Sequence, residues 1–67
     1  MINENQILTG HIFYNKSIPY KVIFICRNAI DCEQCMVVYK NLEDTYDFPK
    51  GTMFVVPKTY FLRKFYK

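Results

Sequence analysis

The strongest pattern in the chain runs from Tyr20 to Arg27, Y-K-V-I-F-I-C-R. β-Branched and aromatic side chains suit a pleated, half-buried surface, so this stretch reads as a strand. Alternation puts Tyr20, Val22, Phe24 and Cys26 on one face and Lys21, Ile23, Ile25 and Arg27 on the other. The first set is expected in the core, and the charged ends leave the second partly wet. Gln34 to Lys40 repeats the pattern, with Cys35, Val37 and Tyr39 on one face and Met36, Val38 and Lys40 on the other. The polar connection between them, Asn28 to Glu33, is short enough for antiparallel pairing. His11 to Asn15 is a shorter strand, entered through a turn at Thr9-Gly10 and left through a hairpin turn at Asn15-Lys16-Ser17. Pro19 then falls at a strand start, where its missing N–H does least harm.

Asn41 to Gly51 is a loop, in which Leu42-Glu43-Asp44 suits one helical turn. Pro49-Lys50-Gly51 ends it as a turn, Pro presetting φ and Gly accepting a positive one. Thr52 to Val56 is the fourth strand, closed by Pro57. In Lys58 to Lys67, Phe61, Leu62, Phe65 and Tyr66 fall at helical spacing, but one turn followed by a short strand fits equally well. The second option agrees better with the β character of the rest. Four or five short antiparallel strands make an all-β fold, a small barrel or rolled sheet with a helical turn allowed after Pro57. One domain spans 1–67, with 1–9 expected to be flexible or to add an edge segment.

Length and composition narrow the function. A chain of 67 residues leaves almost no room for a large substrate cleft and its supporting shell. Six Phe and six Tyr exceed what such a core can hide, and surplus exposed rings favour interfaces. The net charge is +3, unevenly spread. Asp31, Glu33, Glu43, Asp44 and Asp47 face Lys40 alone in the middle, whereas Lys50, Lys58, Arg63, Lys64 and Lys67 follow with no acid among them. Such asymmetry steers association with a partner. The first residues lack the basic and apolar leader pattern, and no apolar run is long enough to span a bilayer. The sequence therefore reads as soluble and cytoplasmic, with no membrane partner.

The order of residues from Gly10 onward resembles that of a known kind of small domain. Gly10, Tyr14, Tyr20-Lys21-Val22, Cys26-Arg27, Met36-Val37-Val38-Tyr39, Gly51, Phe54-Val55-Val56-Pro57 and Tyr60-Phe61 follow one another in a characteristic order. Over about residues 10–65 the chain resembles a family of small bacterial and phage domains of unknown function. That pattern runs Gly-x-Tyr-x-His-Tyr-Lys-Gly, then Leu-Val-Val-Tyr, then Val-Arg-Pro. The resemblance implies a small SH3-like β-barrel with no established activity. Phe13 stands where the family has His, Asn15 and Lys16 replace Lys-Gly, and Val56 replaces the Arg before Pro.

Catalysis finds little support. His11 and Ser17 are the sole His and Ser, and a Ser–His pair would still need an oxyanion site and an orienting acid. Cys32-Glu33-Gln34-Cys35 is a C-x-x-C, but a zinc site would need Cys26 and His11 as well. Free cysteines at the ends of paired strands are the simpler account, and no cofactor or metal is expected. Glu43, Asp44 and Asp47 lack the spacing of a calcium loop. Two macromolecular readings remain for a non-catalytic module. The preferred one is binding of a protein, which could include a second copy paired through an edge strand. The alternative is single-stranded nucleic acid, gripped by rings interleaved with cations in the C-terminal segment. Tyr14, Lys16, Tyr39, Tyr60, Arg63 and Lys64 are the expected contact residues for either.

Overall fold

A computed structural model describes residues 2–67. Its strands are β1 (Ile12–Asn15), β2 (Ile18–Arg27), β3 (Cys35–Asn41) and β4 (Met53–Pro57), followed by helix α1 (Lys58–Lys64). The four strands form one antiparallel sheet in the order β1-β2-β3-β4. The fold is all-β in class, as the sequence pattern and the SH3-like resemblance lead one to expect. The sheet is open, and the fifth strand is reduced to one bridge between Tyr14 and Tyr66. Tyr14 N–H donates to Tyr66 O at 2.7 Å, and Tyr66 N–H donates back to Tyr14 O at 2.9 Å. The tail expectation is thus corrected in proportion: seven residues are helical, and the strand after them is a single residue.

The hairpin between β1 and β2 has a two-residue loop, because Asn15 is paired with Ile18. Lys16 and Ser17 both have positive φ, 53° and 67°, the type I′ pattern that matches strand twist. Neither is the Asn or Gly that tolerates this backbone best. Lys16 and Ser17 therefore both carry left-handed backbone strain. The Tyr66 hydroxyl helps to hold the turn by accepting the Ser17 N–H at 3.0 Å.

β2 carries the main departure from simple alternation. Val22 pairs with Tyr39 and Phe24 with Val38, so Ile23 is an extra residue, a β-bulge. From that point every side chain changes face. Phe24, expected in the core, is therefore exposed, at 48%. The inward set is Phe13, Val22, Val37 and Tyr39, covered by Phe61 and Phe65 from the helix segment. Tyr20, Phe54, Val56 and Leu62 pack around them.

The N-terminal segment supplies two further core residues. Asn3 caps the 3-10 turn Glu4–Gln6 with a reciprocal capping box, and Ile2 and Ile7 on either side are buried. Within the expected 1–9 segment, Ile2 and Ile7 pack into the core, and Met1 lies outside the described residues. Leu42-Glu43-Asp44, expected to be helical, is a bend instead.

Asn41 is the one fully buried polar side chain among the described residues. Its Oδ1 accepts the Thr52 N–H at 2.8 Å and its Nδ2 donates to Phe48 O at 3.4 Å. Its own backbone exchanges bonds with Thr52 and Gly51, at 3.3 and 3.0 Å. One side chain therefore ties both ends of the β3–β4 loop. Gly51 has φ of +90°, as the Pro49-Lys50-Gly51 turn requires.

Two stability measurements follow. Ser17→Gly removes left-handed strain while keeping the N–H that Tyr66 accepts, and should stabilise the fold by about 1 kcal/mol in urea titration. Asn41→Ala removes the nearer of the two acceptors of the Thr52 amide, leaving Pro49 O at 3.2 Å, and should destabilise by about 1 kcal/mol.

Candidate functional site

The expected contact residues separate into two exposed groups and one core residue. Tyr14 and Lys16 lie on the first hairpin. Tyr60, Arg63 and Lys64, at i, i+3 and i+4 on α1, share one exposed stripe of the helix beside buried Phe61. Tyr39 is corrected: it is only 7% exposed and belongs to the core. Alternation on β3 already puts it beside Val37. Its ring is within 5.5 Å of the rings of Tyr20, Phe54, Phe61 and Phe65, centroid to centroid. Burial pushes its hydroxyl up to about 12, helped by the neighbouring phenols of Tyr20 and Tyr60.

Tyr66 was absent from the expected contact set and belongs with the hairpin group. Its ring stacks on that of Tyr14 at 6.2 Å, and both are about 40% exposed. The bridge between their backbones produces this pair. Sequence alone offered only a tyrosine among cations as a signal.

The sheet face turned away from the core is more continuous than either group. Residues directly opposite one another share a face, so register defines rows across the strands. Phe24, Val38 and Val55 form one row over β2, β3 and β4. Cys26, Met36 and Pro57 form the next. On the other side lies a row of Ile12, Lys21, Lys40 and Met53. Phe24, Val55, Met53 and Ile12 are each 45–55% exposed. Lys21 and Lys40 stand directly opposite each other, a like-charge pair that destabilises the isolated sheet. No acid occurs in these three rows. Sequence reasoning missed this face because it assigned Phe24 to the core.

Other chemistry is sparse. A shallow cavity of about 310 Å³ is lined by Glu4, Glu33, Gln34, Cys35, Lys58, Thr59 and Leu62. It contains neither His11 nor Ser17, which lie at opposite ends of the β1–β2 hairpin. Cys26, Cys32 and Cys35 are unbridged, and among the described residues no group of three His, Cys, Asp or Glu side chains could hold a metal ion. The acidic loops use carboxylates on their own backbone. Asp44 accepts the Lys50 N–H at 2.7 Å, and Asp31 accepts the Glu33 N–H at 3.2 Å. Among the described residues, no helix is long and apolar enough to cross a membrane.

Comparison of the chain with protein-family models, curated proteins and solved structures returns no match.

The Tyr39 hydroxyl gives a pH test of its burial. Its folded pKa is raised above the ordinary 10, so the neutral form stabilises the fold fully below pH 10. That contribution, of the order of 1–2 kcal/mol, is lost as pH rises through about 12. Urea titrations between pH 9 and about 12 should show stability falling with pH, with a shallower fall in Tyr39→Phe.

Proposed function

We propose that the protein is a non-catalytic protein-interaction module that works through the outer face of its sheet. One observation carries this reading: the row Phe24, Val38 and Val55 crosses three strands on the side away from the core. A small domain that covers one sheet face with its own helix and leaves large apolar side chains on the other has a surface suited to a partner. The opposed Lys21 and Lys40 give that partner a chemistry. An apolar protein surface bearing carboxylates would cover the row and relieve the lysine repulsion together. Tyr14, Lys16 and Tyr66 lie at the hairpin end of the sheet and extend the contact area. Tyr60, Arg63 and Lys64 are on the helix that covers the inner face, and stand outside this surface.

Nucleic acid is the competing occupant, favoured by the stacked Tyr14–Tyr66 pair beside Lys16. Salt separates the two. Phosphate binding weakens steeply as salt rises, whereas apolar contact persists. Proteins retained from a cell lysate by the immobilised full chain at high salt should be lost with Phe24→Ser, whose melting temperature should stay close to that of the parent because Phe24 is half exposed. Retention that ignores Phe24→Ser, or a low-salt oligonucleotide shift abolished by Lys16→Ala with Tyr14→Ala, overturns the proposal.

A further inference from the structure

The outer face ends abruptly at β4, which has one partner strand and one open edge. The backbone shows which groups that edge presents. Asn41 N–H donates to Thr52 O, so the peptide groups of Thr52 point toward β3. Alternation in an antiparallel ladder then turns those of Phe54 and Val56 toward β3, and those of Met53, Val55 and Pro57 toward the open side. Neither the Met53 nor the Val55 amide takes part in any bond outside the sheet ladders among the described residues. Met53 and Val55 are also half exposed as side chains. Thr52 to Pro57 carries no charge. It therefore lacks the lysine or inward charge that usually protects an edge from pairing.

We infer that β4 pairs antiparallel with β4 of a second copy of this chain, about a two-fold axis at Val55. In that register Val55 faces the partner's Val55 and the two exchange both backbone bonds. Met53 N–H meets the C=O of the partner's Pro57, the N-cap of α1, which accepts it on its second lone pair beside the first bond of the helix. Pro57 has no N–H, so the position where the edge runs out of donors is the position where none is left unpaired. Lys58 falls opposite the partner's Thr52 and Lys50 lies further out, so no lysine faces a lysine across the axis.

The opposite edge of the sheet explains why a second copy closes the assembly instead of extending it. Gly10 and His11 exchange bonds with Val22, which puts alternate residues Ile12 and Tyr14 of β1 on the outer side. Both backbone groups of Tyr14 are taken by Tyr66. A head-to-tail contact of β4 with a neighbour's β1 would find one usable residue, so an open filament is disfavoured and the isologous pair is left. Pairing also makes the apolar row continuous, from Phe24, Val38 and Val55 into the partner's Val55, Val38 and Phe24. The use of the joined face rests on the protein-interaction reading; the pairing itself rests on the edge.

Sedimentation of the full chain from low micromolar to submillimolar concentration tests the pairing. The expected result is reversible conversion from monomer to dimer, with no larger species. Val55→Pro removes an amide that β3 does not use, and should leave a folded monomer at every concentration. Amide hydrogen exchange of the unaltered chain provides a check that needs no variant. Exchange at Met53 and Val55 should slow at least tenfold as dimer forms, while Phe54 and Val56 stay protected throughout. A chain that is monomeric at all concentrations, a Val55→Pro variant that still dimerises, or dimers whose Met53 and Val55 amides exchange freely would each overturn the inference. Phe24→Ser should still dimerise, so loss of partner capture and loss of pairing are read separately.

Discussion

The Tyr39 ring is the contact on which the rest of the structure depends. It reaches Tyr20 on its own sheet, Phe54 on the neighbouring strand, and Phe61 and Phe65 from the helix segment. Phe61 and Phe65 stack on each other at 4.0 Å and present one broad aromatic surface to it. A chain this short has few residues to spend on volume, and each ring buries far more area than a valine. The rings therefore act as the inner wall of the domain. They hold a seven-residue helix in place that would not persist in water alone. The helix in turn aims Tyr66 at β1, where it meets Tyr14.

Much of this was legible in the sequence. Strand positions follow from β-branched and aromatic runs, and the face of β3 follows from strict alternation of Val37 and Tyr39 with Val38 and Lys40. β2 shows where such reading ends. Val22 to Cys26 is apolar at every position, so the run contains no polar residue to mark a change of phase at Ile23. One inserted residue moves Phe24 from the core to the outer face, and with it the most continuous candidate surface. The fate of residues 2–7 was hidden for a related reason. Ile2 and Ile7 are separated by a capped turn, and neither strand nor helix periodicity connects them.

The candidate site was legible in part. Exposure of Tyr14 and Tyr60 follows from too many rings for too small a core. Tyr39 was misplaced in the contact set although its alternation with Val37 already pointed inward. Tyr66 needed the tertiary structure, because its role comes from a backbone bridge to a residue near the other end of the chain. The outer face needed the register, since only pairing aligns Phe24, Val38 and Val55 in one row. The same register explains how a sheet can be guarded on one edge and open on the other. Tyr66 occupies β1, whereas among the described residues no strand or bridge pairs with the outer edge of β4.

The bridge at Tyr66 has a consequence for folding. Ser17 and Tyr66 touch although 49 positions separate them in sequence. β1, β2 and β3 can pair with one another before Phe61, Phe65 and Tyr66 dock on them. During that interval the inner face of Phe13, Val22, Val37 and Tyr39 has no cover, and the β1 edge has no Tyr66. The nascent sheet is then exposed on both faces and both edges, the state in which a β-rich chain is most prone to wrong association. Slow docking of the segment after Pro57 would lengthen that exposure, so the closing of the Tyr14–Tyr66 bridge bears on how long the sheet stays open to wrong association.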